Sequence, residues 1–444
     1  MAYPEDPTLQ KATAPPPIGG RRRQILTAGA ARLEALAGRL RSLDTFASLQ
    51  YRDFRYLWFG TVFMSAGLWI QQVTLGWFLY DLTNSPVLLG LLNGLNAIPF
   101  LVFSLVAGIV ADRMDRRHLL LMIQPVIMVS AFGLGWLIVS GRVQVWHLFA
   151  FALIAGTGWS FTQPIRQTLV PSVVPKEQMM NAVALTSVGF NITKVLGPAL
   201  GGLLIAWVGA GGNFFLQAAT YSGVFLMIYR MYVPPFEAEA RRASVFENLR
   251  EGLRFVWKRP EILAVMIVAQ VPQLFATPYL SLMPVFQKDV LQVGPQGLGF
   301  LMAAPGVGGV ISLLLLASLA NRYPYKGRLL LVGLVVLGVF LILFSRMTAF
   351  PLALLMLVGV GACQLIYLAT SNTMLQLLTP EVLRGRVMSI YMLNRGIGPL
   401  GSMVAGVSTA AYGAPATVSA MGVLVILLVV FVAWKFPNLY QVAT

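Results

Sequence analysis

The chain has 444 residues, of which 57% are hydrophobic and only 11% charged, against roughly 25% charged in soluble domains. So few charges cannot cover a water-facing surface, and the long unbroken apolar runs exclude the alternating pattern of a barrel, which leaves membrane-spanning helices. The net charge of +16 would suggest nucleic acid in a soluble protein; here the placement of the cations, given below, accounts for it as membrane topology, and no nucleic-acid partner is expected.

Residues 1–24 contain Ala-Pro-Pro-Pro-Ile-Gly-Gly and then Arg21, Arg22 and Arg23, the composition of a disordered basic tail. Over 25–45, Leu33, Leu36, Leu40 and Leu43 share one helical face, flanked by Arg32, Arg39 and Arg41. This reads either as a helix lying on an anionic membrane surface or as a solvated, partly formed one. No apolar core of a cleavable signal peptide is evident in these residues.

Twelve apolar segments follow, at roughly 57–80, 87–111, 118–140, 146–165, 181–208, 213–229, 262–287, 297–320, 329–345, 350–378, 387–411 and 416–434. Each is near the ~20 residues that cross a bilayer. The expectation is an all-α membrane protein of twelve transmembrane helices: a tail to 50, a six-helix half over 51–233, a linker over 234–260, a second six-helix half over 261–434, and a tail over 435–444. With the amino terminus inside, 27 of the 32 Lys and Arg residues fall on inside segments and three, Arg142, Lys288 and Arg346, on outside loops. That asymmetry places both termini in the cytoplasm. The remaining two cations, Lys194 and Arg395, lie inside the fifth and eleventh segments.

The two halves repeat. A shift of 209 puts Pro86, Leu89 and Gly90 on Pro295, Leu298 and Gly299, and Gln167, Leu169 and Pro171 on Gln376, Leu378 and Pro380. It also puts Ala111, Asp112 and Arg113 on Ala320, Asn321 and Arg322. An even number of spans per half makes these parallel repeats, with substrate expected between them near the midplane.

The turn after the second segment reads Gly108-Ile-Val-Ala-Asp112-Arg113-Met-Asp115-Arg116-Arg117. It resembles the G-x-L-A-D-R-x-G-R-K/R signature of the major facilitator superfamily, with Val110 and Asp115 as departures. The resemblance implies the major facilitator fold and a cytoplasmic latch. Asp112 would face the positive end of a helix, and Arg113, Arg116 and Arg117 would pair with acidic groups across the half interface. The plainer reading is positive-inside charge, which accounts for the arginines and leaves Asp112 unexplained.

The fifth segment carries Gly197-Pro198-Ala-Leu-Gly201-Gly202, similar to the end of the antiporter motif in exporters of that superfamily. The motif's earlier glycines are replaced by Thr193 and Ala184. It implies export, whereas small residues alone imply only close helix packing. Tyr51-Arg52-Asp53-Phe54-Arg55-Tyr56, Leu82-Thr83-Asn84-Ser85-Pro86 and Pro164-Ile-Arg166-Gln167 together resemble the branch with macrolide and enterobactin exporters, over residues 46–434.

Buried ionisable groups are costly and usually functional. No acidic residue lies in the central part of a segment, so Asp81 and Asp112 are the candidates for coupling to an ion, taken to be the proton. Lys194 and Arg395 match at a shift of 201, which aligns Gly197-Pro198 with Gly398-Pro399. The pair would give a cavity a positive field for an anionic cargo; carbonyl bonding and snorkelling are the structural alternatives. Gln71, Asn93, Asn96, Gln163, Asn191, Gln270, Gln364, Tyr367 and Asn394 are further cavity candidates, and interhelical bonding is their alternative use.

No G-x-x-x-x-G-K-[ST] phosphate loop, metal-ligand cluster or nucleophile–base pair is visible. The expected protein is therefore a monomeric, cofactor-free exporter in a bacterial inner membrane, not an enzyme. It would move an amphiphilic small molecule, a siderophore or other anionic natural product. A macrolide or multidrug pump is the near alternative, and a non-transporting membrane scaffold or sensor of the same fold the distant one.

Overall fold

The structure is a computed structural model. It describes residues 46–233, 245–319, 325–393, 396–437 and 440, without some side chains at helix ends, those of Gly108, Asp112 and Arg113 among them. The expected tail and interfacial helix of residues 1–45 lie outside it, as do Asn321, Arg322, Asn394 and Arg395.

Helix α1, Arg52–Thr83, ends at Asn84 in the left-handed conformation (φ 46), which only a short polar side chain or glycine adopts readily. The Ser85 side chain then accepts the Leu88 N–H, and Pro86 occupies the first turn of α2, Pro86–Arg113. The Asn-Ser-Pro sequence thus stops one helix and starts the next. Helix α3, Arg116–Val139, is capped by Asp115, whose Oδ1 accepts the N–H groups of Arg117 at 2.8 Å and His118 at 3.3 Å. This gives Asp115, a departure from the motif, a local physical role. Helix α4 spans Val145–Val173.

Helix α5, Met179–Arg230, carries two of the expected segments in one run, interrupted only at Gly209 (φ 72). Asn213 Nδ2 donates to the Gly201 carbonyl at 2.9 Å. Twelve residues would separate these groups by about 18 Å in a continuous helix, so the chain folds back at Gly209, where a positive φ favours glycine. After α6, Val245–Lys258, helix α7, Pro260–Phe275, is broken by Pro272 and Pro278. It continues as short turns through Thr277–Leu282 and Met283–Val285 to a π-turn at Phe286–Val290. The rest is α8 (Pro295–Leu319), α9 (Lys326–Ser345), α10 (Phe350–Leu378), α11 (Glu381–Leu393), α12 (Gly398–Tyr412) and α13 (Ala414–Lys435). Among the described residues there is no strand, and nine stretches are long and apolar enough to cross a membrane. Val126, Val129, Phe132 and Trp136 of α3, and Leu424, Leu427, Phe431 and Trp434 of α13, form exposed large apolar stripes at helical spacing. In water such stripes would be a liability; in a bilayer they are the lipid face.

The fourth helix corrects the sequence reading. It was expected to end at 165, with Arg166 in a loop, yet it runs to Val173 and Arg166 is 4% exposed. Its Nη2 donates to the Leu57 carbonyl at 2.6 Å and to Thr61 Oγ1, so a cation counted as topology is a buried tie between α4 and α1. An arginine at the edge of an apolar run is ambiguous by composition; its acceptors lie on another helix.

One contact occurs twice. A Cβ on Gly202 of α5 would lie 2.5 Å from the Pro295 carbonyl oxygen and 2.7 Å from Gly299 Cα of α8. A Cβ on Gly406 of α12 would lie 2.6 Å from the Pro86 carbonyl oxygen and 3.2 Å from Gly90 Cα of α2. Pro86 and Gly90 are the residues that the shift of 209 places on Pro295 and Gly299. Likewise Gly197 packs on Trp69 of α1 and Gly401 on Pro278, 209 residues after Trp69. Within this helix pair the matching shift is therefore 204, and the sequence-based shift of 201 is one helical turn out. At that shift Lys194 falls opposite Gly398. The Gly-Pro dipeptide that suggested 201 is repeated in sequence, whereas the contacts it makes are not.

Candidate functional site

Between α5, α7, α8 and α10 lies a cavity of about 190 Å³, lined by 14 residues that include Asn191, Lys194, Gln273, Thr277, Gln364 and Tyr367. The break in α7 is what puts Gln273 and Thr277 there. The Thr277 hydroxyl donates to the Pro272 carbonyl at 3.1 Å, which also accepts the Ala276 N–H at 2.8 Å. The remaining lining is small or apolar, with Gly306, Gly309 and Gly361 admitting close approach and Val195, Val310, Leu365 and Leu368 supplying surface. Among the described residues, no carboxylate lines the cavity. Its polar groups are one ammonium, three amides and two hydroxyls, a set dominated by donors. The Tyr367 hydroxyl is buried and has no hydrogen-bond partner among the described residues. A volume of this size is smaller than the roughly 300 Å³ of a drug-sized site, so it fits one end of a cargo.

Of the cavity residues expected from sequence, Asn191, Lys194, Gln364 and Tyr367 are brought together. Gln71 is not: it is buried and accepts a 2.5 Å hydrogen bond from Gln217, which ties the first helix to the second arm of α5. Asn93 donates to its own helix at the Leu89 carbonyl. Asn96 packs at the crossing of α2 with Gly156 of α4. Gln163 and Gln270 are partly buried and outside the lining. Thr277 was missed; its sequence signal is its position just before Pro278, where a helix inside an apolar run has to break.

At the end of the bundle that holds the α1–α2 turn, polar groups bridge the chain before residue 233 to the chain after 245. Lys288 pairs with Asp81 at 3.3 Å and donates to Asn84 Oδ1 at 2.7 Å, and Tyr80 donates to Asp289 at 2.5 Å. The π-turn sets these directions. Its extra residue, visible as Leu291 N–H reaching the Phe286 carbonyl five residues back at 2.8 Å, lets adjacent Lys288 and Asp289 each meet a partner on α1. Asp81, expected as a coupling residue, is thus half of an ion pair whose side chains are 51% and 38% exposed. Tyr80 and Asp289 are 209 residues apart, so the repeat meets itself here.

At the opposite end, Arg117 donates to the carbonyls of Ile228 at 3.2 Å and Tyr229 at 2.7 Å, and Arg116 to the Thr168 carbonyl at 3.4 Å. These are favourable places for cations, at or near the carbonyl ends of α5 and α4, and both helices lie before residue 233. The expectation for these arginines was acidic partners across the half interface. Gly197, Pro198, Gly201 and Gly202 are all buried in helix crossings, the first and third against α1 and the last against α8.

Comparison with known proteins gives concordant results. A family model described as transmembrane secretion effector matches residues 43–443. The staphyloferrin A transporter of Staphylococcus aureus is 25% identical over 83% of this chain and 92% of its own. The multidrug efflux pump Tap of Mycolicibacterium fortuitum is 27% identical over 86% and 95%. The enterobactin exporter EntS of Shigella boydii is 26% identical over 79% and 85%. Among solved structures, a bacterial homologue of the human lysosomal transporter Spinster aligns with a TM-score of 0.72 at 15% identity, covering 89% of this chain and 98% of that one.

Proposed function

The chain belongs to the transmembrane secretion effectors of the major facilitator superfamily, and from that premise we propose that it exports a small amphiphilic anion by alternating access. The transmembrane count that fits is twelve: the nine apolar stretches already described, a second pass from the fold-back in α5, α2, and α11 with α12 together. The two glycine crossings support two six-helix halves, 51–233 and 261–434, joined by a linker that includes α6. The halves rock about the cavity, coupled to an ion, with the proton as the expected one and Asp81 and Asp112 as the acidic groups placed at the two ends. The protein acts as a monomer in a bacterial inner membrane, with both termini in the cytoplasm.

The observation that carries the cargo assignment is the cavity lining: Lys194 among amides and hydroxyls, with no carboxylate among the described residues. Such a set binds dense oxygen acceptors bearing negative charge, the chemistry of siderophores like those in the names of two relatives. A multidrug reading is favoured by the resemblance to Tap and by the apolar wall of Val195, Val310, Leu365 and Leu368.

The two readings part at one substitution. In proteoliposomes, Lys194→Met should weaken transport of an anionic siderophore about ten- to a hundredfold, the worth of a charge-assisted contact, and spare neutral and cationic compounds. Lys194→Arg should retain part of it. An equal loss for every compound would make Lys194 structural and leave the multidrug reading standing.

A further inference from the structure

Over residues 250–258 of helix α6 one face is covered by protein and the other is exposed among the described residues. Gly252 sits against α11, where a Cβ would lie 2.9 Å from Ile390 Cδ1 and 3.2 Å from Arg386 Cβ. Glu251, on the same helix, bonds Arg386 at 2.6 Å, and Val256 is buried. These contacts fix the rotation of the helix. On the other side, Arg250, Arg254 and Lys258 recur every four residues and form one exposed row. Leu253 and Trp257, also four apart, form the row beside it, and Trp257 is 70% exposed. The helix ends two residues before Pro260 opens a membrane-crossing stretch, so these rows stand at the depth where the bilayer begins. Trp434, also exposed beside Lys435 at the last turn of α13, fits the same belt.

We propose that this face of α6 is a binding surface for anionic phospholipid headgroups. The cation row meets lipid phosphates, and the Leu253–Trp257 row enters the boundary between headgroups and acyl chains. A protein partner would have to cover an apolar edge lying against the membrane surface, and a basic row with an adjacent tryptophan is matched by an anionic leaflet without one. The only acid among the exposed residues of this helix from 250 onward, Glu251, is tied to Arg386 and does not neutralise the row. Through that pair and Gly252, lipid held by α6 is held against α11 as well.

The test uses the full chain in nanodiscs containing a photo-activatable phosphatidylglycerol, with cross-links mapped to the peptide over 245–259. The lipid concentration for half-maximal cross-linking should rise on the order of a hundredfold in R250Q/R254Q/K258Q, at about fivefold per cation near an anionic surface. R250K/R254K keeps the charge and should bind like the parent. Should the triple variant fail to fold, K258Q alone should show about a fivefold rise. Cross-linking unchanged in R250Q/R254Q/K258Q, equal labelling by a phosphatidylcholine analogue, or displacement by inorganic phosphate at matched concentration would each overturn the proposal. The readout is lipid contact and not transport, so its failure would leave the exporter reading untouched.

Discussion

The two ends of the bundle are held in different ways. At the α1–α2 turn, contact between the chain before residue 233 and the chain after 245 is made by side chains in pairs, Lys288 with Asp81 and Asn84, and Tyr80 with Asp289. Just below, backbone meets backbone at Gly202 and Gly406. At the opposite end, Arg116 donates to the Thr168 carbonyl and Arg117 to those of Ile228 and Tyr229, all before residue 233, and the ion pair between α6 and α11 lies after residue 245. The side-chain bonds described above between the chain before residue 233 and the chain after 245 thus lie at one end. A transporter has to alternate which end is closed. The difference teaches that Arg117, as placed here, braces α3 against α5.

The contrast breaks most completely at the glycine crossing. Gly202→Leu would push side-chain atoms into the backbone of Pro295 and Gly299, which cannot rotate away as a side chain can. Overpacking of this kind costs about 1–3 kcal/mol; transport in proteoliposomes should fall up to about a hundredfold. Full activity would mean that the crossing is looser than the 2.5–2.8 Å approaches indicate.

A smaller effect is expected at the motif. If Asp112 locks the cytoplasmic end in the alternate state, Asp112→Asn should lower export about tenfold, the lower range for a charged hydrogen bond, while the protein still reaches the membrane. Export at the parent rate with normal abundance would reduce the motif to topology.

The smallest effect belongs to the exposed pair. Asp81→Asn removes an ion pair worth about 0.2–1 kcal/mol at such exposure. In a Cys363→Ser background, a cysteine at buried Gln287 should react at most about fivefold faster with an impermeant thiol reagent. High salt should mimic the change in the parent. A much larger increase would make this pair the main closure of that end and remove the primacy of the glycine crossing.

The membrane class, the apolar segments and the repeat were legible because lipid imposes long uninterrupted runs and because duplication leaves matched dipeptides. Boundaries were less so. Arg166 was read as a loop cation since composition cannot reveal that Leu57 and Thr61 wait for it on another helix. Lys288 was counted as an outside charge, although the shift of 209 already placed Tyr80 on Asp289 and pointed to that corner. In the cavity, Lys194 stood out as a costly charge in an apolar run, and Tyr367 as aromatic surface. Gln71 looked the same in sequence, and only the position of Gln217 decides that it is an interhelical bond. Amide residues in a span announce that they need partners without saying whether the partner is protein or cargo.

The paired glycine crossings have a mechanical consequence. Where helices interlock through large side chains, tilting one against the other requires rotamers to change, and each change adds a barrier. At Gly202 on Gly299 and Gly406 on Gly90 there are no side chains to interlock, so each contact can roll as a smooth bearing. Under the proposed alternating access, two such bearings would define a line about which the chain before residue 233 and the chain after 245 could swing while the distance between them along that line stays nearly constant. Friction in the cycle would then arise elsewhere, in the polar clasp and in the cavity, and a single added methyl group at either bearing would slow the swing without touching the cargo.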